Sequence, residues 1–286
     1  MEINGNTLVL GIIGNPVRHT MSPAIHNFIS EKINNNMVYV PFEVTGDVKT
    51  AVKGAYELGI KGMNVTVPYK SDVIEVLSDI DEMAERIGAV NTLVRTENGF
   101  KGYNTDMLGL EREMEDEDVI LEDADVLLIG AGGAARAAAF LAAKHNAKSL
   151  TIINRTVEKA DAIAKDVEKY ISDTSKETVV KTYPLEEYSK LSEEKYVAIQ
   201  CTKIGLKEED GAAIEDKEFY KKITAGVDLI YRENTLFQKM VREAGGRAYT
   251  GLKMLVYQGI LAYELWNNIK IDDETVKGVM GVVNGR

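Results

Sequence analysis

Cysteine, histidine and tryptophan are scarce in this sequence of 286 residues. The single cysteine, Cys201, cannot form an intramolecular disulfide, which is typical of a protein kept in a reducing compartment. The three histidines, His19, His26 and His145, lack the i, i+3 or i, i+4 spacing of a zinc site. We therefore expect no disulfide scaffold and no metal centre, and we expect a cytoplasmic location.

Long apolar runs and excess positive charge are also missing. The first apolar stretch, Leu8 to Ile13, is too short for a signal peptide, and no run reaches the roughly 18 uncharged apolar residues of a membrane span. Lys and Arg number 34 against 45 Asp and Glu, so the net charge of −11 repels nucleic acid and anionic membranes. We expect an unprocessed chain without nucleic-acid or membrane partners. A homodimer remains open, because the sequence does not reveal the oligomeric state.

The chain is long enough for about two domains, and its apolar content of 45% can form a core in each. In the first half, alternating strands and helices predict a parallel sheet. The expected elements are strands over 7–13, 38–44 and 62–67, a helix with Ser22 as N-cap and Pro23 at N1, helical segments over 48–58, 73–80 and 82–87, and a hairpin of 90–95 and 99–102 turned at Asn98-Gly99.

The second half begins with an acidic helical segment, 111–118, which we interpret as a solvated face at a domain junction. A βαβ unit follows, with further strands and two more helices. Its expected elements are strands over 125–129, 149–153, 197–200 and 226–230, and helices over 134–145, 236–244 and 252–269. The last helix carries Met254, Leu261 and Leu265 on one face. Gln258 lies on that face too, either as a hydrogen-bonded core residue or as part of a site.

A glycine-rich loop connects the strand over 125–129 to the alanine-rich helix. Its G-x-G-x-x-A pattern is typical of a dinucleotide site: Gly130 permits a tight turn, Gly132 permits close approach of a pyrophosphate, and Ala135 permits close packing. The helix N-terminus stabilises the phosphate charge.

At the end of the next strand the sequence reads Asn154-Arg155-Thr156, where an NAD site usually has a carboxylate. Arg155 favours the 2′-phosphate of NADP, although it could be an ordinary exposed arginine.

Three polar clusters interrupt the apolar pattern of the first half. The first contains Thr20 and Ser22 at a helix start, where a carboxylate could bind and where Ser22 could be a simple N-cap. The second ends in Lys70, just beyond a strand, which taken alone is more often a surface lysine. The third leads from Asn91 to Asp106, which could simply cap a helix.

Together these segments resemble the shikimate dehydrogenase family over nearly the whole chain and in the same order. The motifs that carry the resemblance are GNPVRHTMSP from Gly14, NVTVPYK from Asn64, GAVNT from Gly88, NTD from Asn104, GAGGA from Gly130, NRT from Asn154 and GLKMLVYQ from Gly251. The resemblance implies an α/β protein with a discontinuous N-terminal substrate-binding domain (1–105 and 251–286) and a Rossmann-type NADP-binding domain (106–250), with a cleft between them. It also implies NADPH-dependent, reversible reduction of 3-dehydroshikimate to shikimate, a step of aromatic amino acid biosynthesis, with no metal.

The resemblance also implies roles for single residues. Lys70 and Asp106 match the catalytic pair. The substrate-binding positions are Thr20 and Ser22 for the carboxylate, with Asp106, Thr66, Asn91, Tyr231 and Gln258 for the ring hydroxyls or the pocket wall. The cofactor-binding positions are Gly130, Ala131, Gly132, Gly133, Ala134, Asn154, Arg155, Thr156, Val157, Glu158, Lys159, Leu229 and Gly251.

The sequence departs from the family pattern at three places. Thr20 stands where serine is usual, Met107 where glycine is common, and Gln200 to Leu206 where the family has NATSxGM. We interpret Cys201, within that segment, as a packing residue and not a nucleophile. Two other functions remain open: a quinate/shikimate dehydrogenase that acts on quinate, and a non-catalytic NADP-binding regulatory module, against which the intact Lys70 and Asp106 argue.

Overall fold

The computed structural model describes residues 2–192 and 195–285, and these form two six-stranded sheets with surrounding helices. The strands are β1 Leu8–Gly14, β2 Met37–Glu43, β3 Gly62–Val65, β4 Asp79–Ile80, β5 Thr92–Thr96, β6 Gly99–Tyr103, β7 Asp125–Ile129, β8 Ser149–Asn154, β9 Val179–Pro184, β10 Tyr196–Gln200, β11 Ile223–Asp228 and β12 Arg247–Thr250. The helices are α1 Ser22–Lys32, α2 Val48–Glu57, α3 Glu82–Ile87, α4 Thr105–Asp116, α5 Gly133–Lys144, α6 Val157–Thr174, α7 Lys217–Tyr220, α8 Leu236–Glu243, α9 Leu252–Asn267 and α10 Asp273–Asn284, with 3₁₀ helices at Asp72–Val76 and Leu185–Lys190.

The chain divides into two compact units. The first unit is Met1–Gly109 with Val256–Arg286, and the second is Leu110–Leu255. The chain therefore passes from one unit to the other within α4 and again within α9. In the described part of the chain, no helix is both long and apolar enough to span a bilayer.

The sheet of the first unit has the strand order β2-β1-β3-β5-β6-β4. The first three strands are parallel, whereas β5 is antiparallel to both β3 and β6. The parallel sheet predicted from the strands over 7–13, 38–44 and 62–67 is therefore confirmed for β1 to β3. The predicted hairpin turned at Asn98-Gly99 is also confirmed, as the antiparallel pair β5 and β6.

The sheet of the second unit is parallel throughout, in the order β12-β11-β10-β7-β8-β9. Numbered within the unit, this is the 3-2-1-4-5-6 order of a doubly wound dinucleotide-binding sheet. Strand order reverses between β7 and β10, so the glycine loop after β7 lies at the switch point where such folds bind ligands. The predicted α/β class, with a Rossmann-type domain, is confirmed.

Two predictions of local structure in the first unit were wrong. The helix expected over 73–80 is a short 3₁₀ helix followed by β4, because Asp79 and Ile80 pair with Lys101 and Gly102 of β6. The strand expected over 62–67 ends at Val65, before a turn closed by a hydrogen bond from the Tyr69 backbone nitrogen to the Thr66 carbonyl. In the first case strand pairing, and in the second a turn, determines the structure in place of the local apolar pattern.

The acidic segment is not a uniformly solvated face. Glu113 is only 1% exposed and accepts a hydrogen bond from the Met254 backbone nitrogen at 3.1 Å. Burial raises the pKa of Glu113 to about 8. Glu111 is paired with Lys144 and His145, at 2.7 and 2.6 Å. The interpretation as a solvated face was therefore wrong for these two residues.

The buried face of α9 also differs from the predicted face, which carried Met254, Leu261 and Leu265. Met254 is buried, but Leu261 and Leu265 are only partly so. The fully buried positions include Val256, Ile260, Tyr263 and Trp266, and the Trp266 indole donates to the Leu93 carbonyl at 2.9 Å. The helix is therefore fixed to the first unit's sheet through a face offset from the predicted one.

Candidate active site

Two charged side chains meet beyond the end of β3. Lys70 lies in the segment after the Thr66–Tyr69 turn, and Asp106 lies in the first turn of α4. Lys70 Nζ donates to Asp106 Oδ2 at 2.5 Å, and the two side chains are 25% and 13% exposed. Lys70 is therefore a partly buried, paired lysine and not an ordinary surface one. An accessible ammonium in this position can donate a proton to a ligand atom within hydrogen-bond reach.

Asp106 does not cap its helix, although the sequence left that role open. Asn104 performs it: its side-chain oxygen accepts from the backbone nitrogens of Asp106 and Met107 at 3.1 and 3.2 Å. The Asp106 carboxylate is therefore free to point elsewhere. Its Oδ1 accepts from Asn91 Nδ2 at 2.9 Å, and its Oδ2 accepts from Lys70.

The amide of Asn91 is itself held rigidly. Its oxygen accepts from the Thr105 backbone nitrogen at 2.8 Å and from the Thr92 hydroxyl at 3.0 Å. These two donors fix which end of the amide is oxygen, so the nitrogen must face Asp106. Asn91, Thr92 and Thr105 are all buried. The carboxylate of the pair is thus oriented by a preformed hydrogen-bonded support.

The predicted carboxylate-binding hydroxyls lie side by side at the start of α1. Thr20 Oγ1 donates to Ser22 Oγ at 3.1 Å. Ser22 is the first helical residue and not the N-cap; that position is Met21, whose side chain has no oxygen to accept a capping bond. The N-cap interpretation of Ser22 was therefore wrong, and its hydroxyl bonds to side chains instead. Two hydroxyls at a helix N-terminus can hold a carboxylate.

The loops that follow β1 and β3 are joined. The Asn15 backbone nitrogen donates to the Val67 carbonyl at 3.1 Å, and the Thr66 backbone nitrogen donates to the Ile13 carbonyl at 2.9 Å. A Cβ on Gly14 would lie 2.3 Å from the Thr66 methyl, so this close approach requires glycine. Thr66 therefore packs against Gly14, the first residue of the segment that leads to Thr20 and Ser22.

The other two predicted substrate residues lie further along the chain. Gln258 is 9% exposed, on α9 of the first unit, and its neighbour Gly259 packs against Ile25 of α1. Gln258 is therefore on the helix that contacts the element carrying Ser22. Tyr231 belongs to the second unit and is largely exposed.

The glycine loop of the second unit leaves open space at a helix N-terminus. Gly130 has a φ of +111°, and a Cβ there would lie 3.0 Å from the Thr202 methyl. At Gly132, by contrast, no described atom lies within 4 Å of an added Cβ. Helix α5 begins at Gly133, and its preceding residue, Gly132, has no side chain to cap it. Open space beside an uncapped helix N-terminus fits the phosphates of a dinucleotide.

The segment predicted to bind the adenosine ribose and its phosphate connects β8 to α6. It adjoins the glycine loop, because the Gly130 backbone nitrogen donates to the Ile153 carbonyl at 2.8 Å. Asn154 Nδ2 donates to the Thr156 carbonyl at 2.7 Å and so tightens the turn. Arg155 is exposed, and within residues 2–192 and 195–285 it forms no ion pair. An unpaired guanidinium at this position is suited to a 2′-phosphate.

The two positions predicted to line the nicotinamide contact each other. A Cβ on Gly251 would lie 2.8 Å from the Leu229 backbone, and the Gly251 nitrogen donates to the Ile230 carbonyl at 3.1 Å. Leu229 follows the end of β11, and Gly251 follows the end of β12. Both therefore lie at the edge of the sheet where parallel strands end, which is where ligands collect in such folds.

A buried network under this edge was missed by sequence reasoning. Asp228 is fully buried, which raises the pKa of its carboxyl group, and it accepts from Thr235 at 2.5 Å, Gln238 at 3.1 Å and Gln200 at 3.3 Å. Gln200 also accepts from the Thr202 backbone nitrogen at 2.5 Å. It thereby holds the loop that departs from the family pattern. A polar residue at the end of a central strand was the signal that could have revealed it.

Cys201 lies in the same loop and is partly buried. Burial, reinforced by the nearby Asp228 carboxylate, raises the pKa of its thiol. A raised pKa disfavours the thiolate, which is the nucleophilic form. This environment agrees with the interpretation of Cys201 as a packing residue.

Fold and site together define a dinucleotide-dependent oxidoreductase: one unit has the doubly wound sheet and glycine loop typical of dinucleotide binding, and the other has the hydrogen-bonded Lys70–Asp106 pair. Three family models match the chain. They are the shikimate dehydrogenase substrate binding domain over residues 12–93, shikimate / quinate 5-dehydrogenase over 113–204, and the shikimate 5′-dehydrogenase C-terminal domain over 251–280.

Individual relatives agree with these matches. A shikimate dehydrogenase (NADP(+)) of Caldanaerobacter subterraneus is 40% identical over 96% of this chain and 97% of its own length. One from Pyrococcus furiosus is 38% identical over 97% of this chain and 96% of its own. The structure of shikimate 5-dehydrogenase from Thermus thermophilus in complex with NADP(H) and shikimate is 29% identical, covers 97% of this chain and all of its own, and superimposes with a TM-score of 0.82. This chain belongs to the shikimate dehydrogenase family, as its sequence motifs predicted.

Proposed function

We propose that this chain catalyses the reversible, NADPH-dependent reduction of 3-dehydroshikimate to shikimate. The observation that carries the proposal is the Lys70–Asp106 pair, oriented by Asn91 and lying in the unit whose sequence matches the substrate-binding family model. The glycine loop at the switch point of the second unit supports the choice of cofactor. Substrate binding is assigned to residues 1–105 with 251–286, and NADP binding to 106–250.

The residues for the cofactor are those of the two loops in the second unit. Gly130 to Ala134 and the N-terminus of α5 would hold the pyrophosphate, and Arg155 would pair with the 2′-phosphate within the segment Asn154 to Lys159. Leu229 and Gly251 would contact the nicotinamide. When bound, NADPH supplies the hydride that reduces the C3 carbonyl of the substrate.

The proton comes from the first unit. As the carbonyl carbon is reduced, negative charge develops on its oxygen, and Lys70 Nζ donates a proton to that oxygen. Asp106 keeps the ammonium in place and accepts a hydrogen bond from the substrate hydroxyl. In the oxidising direction the neutral Lys70 amine takes the proton from the substrate hydroxyl. In the reducing direction the amine that is left after proton donation takes up a new proton from solvent.

Thr20 and Ser22 are assigned to the substrate carboxylate, and Thr66, Asn91, Tyr231 and Gln258 to the ring hydroxyls or the pocket wall. The pairing of two hydroxyls at a helix N-terminus supports the carboxylate assignment.

The cytoplasm is the proposed location, which a single cysteine supports. A homodimer is the proposed assembly to be tested by sedimentation.

The experiment is an activity matrix. Shikimate and quinate are each mixed with NADP⁺ and with NAD⁺, and the absorbance of the reduced nicotinamide is followed. We expect the fastest turnover with shikimate and NADP⁺. Faster turnover of quinate would favour a quinate dehydrogenase, and binding of NADP⁺ without turnover of either acid would favour a regulatory module.

A further inference from the structure

The residue at the N-cap position of α9 is a glycine. The helix begins at Leu252, directly after Gly251. The first N–H groups of an α-helix have no partner within the helix and need one from elsewhere. Two of them are satisfied nearby: the Gly251 nitrogen donates to the Ile230 carbonyl at 3.1 Å, and the Leu252 nitrogen donates to Thr250 Oγ1 at 3.4 Å.

The surroundings of position 251 exclude the residues that usually cap a helix. A Cβ on Gly251 would lie 2.8 Å from the backbone of Leu229, which is closer than a Cβ can approach without a shift of that backbone. Serine, threonine, aspartate and asparagine therefore do not fit there, although their oxygens are the common acceptors for the third N–H of a helix. That acceptor has to come from another part of the chain.

Glu113 of α4 supplies the missing acceptor. Its Oε2 accepts from the backbone nitrogen of Met254, the third residue of α9, at 3.1 Å. An N-cap side chain normally makes this bond. Glu113 is 1% exposed, so water does not compete for the same N–H group. Glu113 and the first turn of α9 belong to the same compact unit.

The charged side chains around Glu113 pair with one another. Lys253, beside Met254, forms ion pairs with Asp116 and Glu117, which lie three and four residues beyond Glu113. Burial raises the pKa of Glu113 to about 8, so its carboxyl group is mostly protonated near pH 7. A neutral oxygen therefore suffices to accept the bond from Met254, and a glutamine side chain has such an oxygen.

We propose that Glu113 is a positioning residue for the cofactor, because it caps α9 from α4 and thereby holds Gly251 against Leu229. The inference rests on the proposed function, which places the nicotinamide at these two residues. Glu113 acts through the helix backbone and not through contact with the cofactor. Without the cap the first turn of α9 is freer, and binding has to order it again. The cost therefore falls on cofactor affinity and not on substrate affinity.

The test compares Glu113→Met with Glu113→Gln. Methionine keeps the length and helix propensity of the side chain but removes the oxygen, whereas glutamine keeps a neutral oxygen acceptor. In Glu113→Met we expect the Kd for NADPH, measured by titration calorimetry, to rise on the order of tenfold, as for the loss of a capping bond. In Glu113→Gln the Kd should change less than about twofold, and the KM for shikimate should change less than about twofold in both variants.

Amide hydrogen exchange provides a readout that needs no cofactor. It is followed by mass spectrometry over peptides that cover residues 251–256. Exchange in this segment should be on the order of tenfold faster in Glu113→Met and unchanged in Glu113→Gln. Glu115→Met is the matched control, because Glu115 is an exposed glutamate on the same helix, and it should match the unmodified protein in both measurements.

If Glu113→Met does not fold, Glu113→Ala removes the same acceptor without the longer side chain and is expected to give the same pattern. Four outcomes would overturn the proposal: an unchanged Kd for NADPH in Glu113→Met or its substitute, a raised Kd without faster exchange over 251–256, an equal loss in Glu113→Gln or Glu115→Met, or a KM for shikimate that rises as much as the Kd for NADPH.

The proposed function fails in a different way. If the unmodified protein binds no NADPH or oxidises no shikimate, the proposed function is wrong, and so is the role of Glu113 toward the cofactor. The unmodified protein and Glu115→Met are assayed first, so this failure is recognised before the Glu113 variants are compared.

Discussion

The substitution Gly132→Ala separates binding of the cofactor from stability of the protein. Gly132 has a φ of −98° and a ψ of −170°, an extended conformation that alanine adopts without strain. No described atom lies within 4 Å of the added methyl group. The free protein therefore has room for alanine at this position, and only a ligand in the loop would meet the methyl.

The expected effect on stability is small. Alanine reduces the entropy of the unfolded chain, which favours folding by about 0.4–1 kcal/mol, but Gly132 is the N-cap of α5 and alanine is a poorer N-cap than glycine, so the two effects largely offset in the free energy of unfolding. Gly130→Ala is the contrasting variant, because Gly130 has a φ of +111° and an added Cβ would lie 3.0 Å from Thr202. That strain should lower the free energy of unfolding by about 1–3 kcal/mol. Urea unfolding of both variants measures the difference.

The expected effect on the cofactor is large and unfavourable. A methyl at Gly132 keeps the pyrophosphate away from the backbone N–H groups, and each charge-assisted hydrogen bond lost is worth about 1.5–3 kcal/mol. The Kd for NADPH, measured by titration calorimetry, should therefore rise by about 10- to 150-fold per bond.

Gly281→Ala provides the control. Gly281 is an exposed position within α10, in the first unit, and an added Cβ there also meets no described atom within 4 Å. This variant should gain about 1 kcal/mol of stability and leave the Kd for NADPH unchanged. An unchanged Kd in Gly132→Ala, or a loss of stability in that variant comparable to that of Gly130→Ala, would refute the assignment of this loop to the pyrophosphate.

Four further predictions test other parts of the site and fold. Lys70→Ala should lower kcat by roughly 10²–10⁴-fold with a smaller change in KM, and near-normal turnover would remove Lys70 as the proton donor. Arg155→Ala should weaken NADPH by about 1.5–3 kcal/mol in calorimetry while sparing NADH, and equal losses would make Arg155 structural. The Thr20 methyl should crowd the C1 hydroxyl of quinate, so kcat/KM for shikimate should exceed kcat/KM for quinate at least roughly tenfold. Thr20→Ser should reduce this ratio, and a preference of the unmodified protein for quinate would contradict the prediction. The pKa of Glu113, raised by burial from 4.5 to about 8, means that the folded state holds this proton more tightly than the unfolded chain does. Stability should therefore fall as the pH rises from about 5 to about 8, by on the order of a few kcal/mol, and urea unfolding of Glu113→Gln should show a flatter profile.

The parts of this protein that were predictable from sequence are those specified by local signals. The strand over 125–129, the glycine loop and the alanine-rich helix follow one another within 20 residues, and each has its own composition signature. The hairpin turned at Asn98-Gly99 is another local signal, and it forms as β5 and β6. The family motifs added the order of the segments, and the family assignment is confirmed by the matches over three parts of the chain.

The parts that were missed depend on partners distant in sequence. Strands β9 and β12 form the two edges of the second sheet, and β4 is an edge of the first; each is specified by the strand it pairs with more than by its own residues. Glu113 resembles its acidic neighbours in sequence, and only the approach of the α9 backbone shows that it is buried. The buried hydrogen bond from Tyr39 to Asn64 joins different strands, so no spacing rule predicts it.

The adjacent polar residues Asn104 and Asp106 show why the site needed a structure. Either side chain could cap α4, and the sequence left Asp106 as a candidate for that role. The two roles exclude each other, because a carboxylate turned toward the backbone of α4 cannot also face Lys70. Asn104 takes the cap, which leaves both Asp106 oxygens for side chains, one for Asn91 and one for Lys70. The groups that orient the two charged side chains belong to this chain itself, so under the proposed function the free energy of substrate binding need not be spent on assembling the pair and serves to orient the carbonyl toward the lysine.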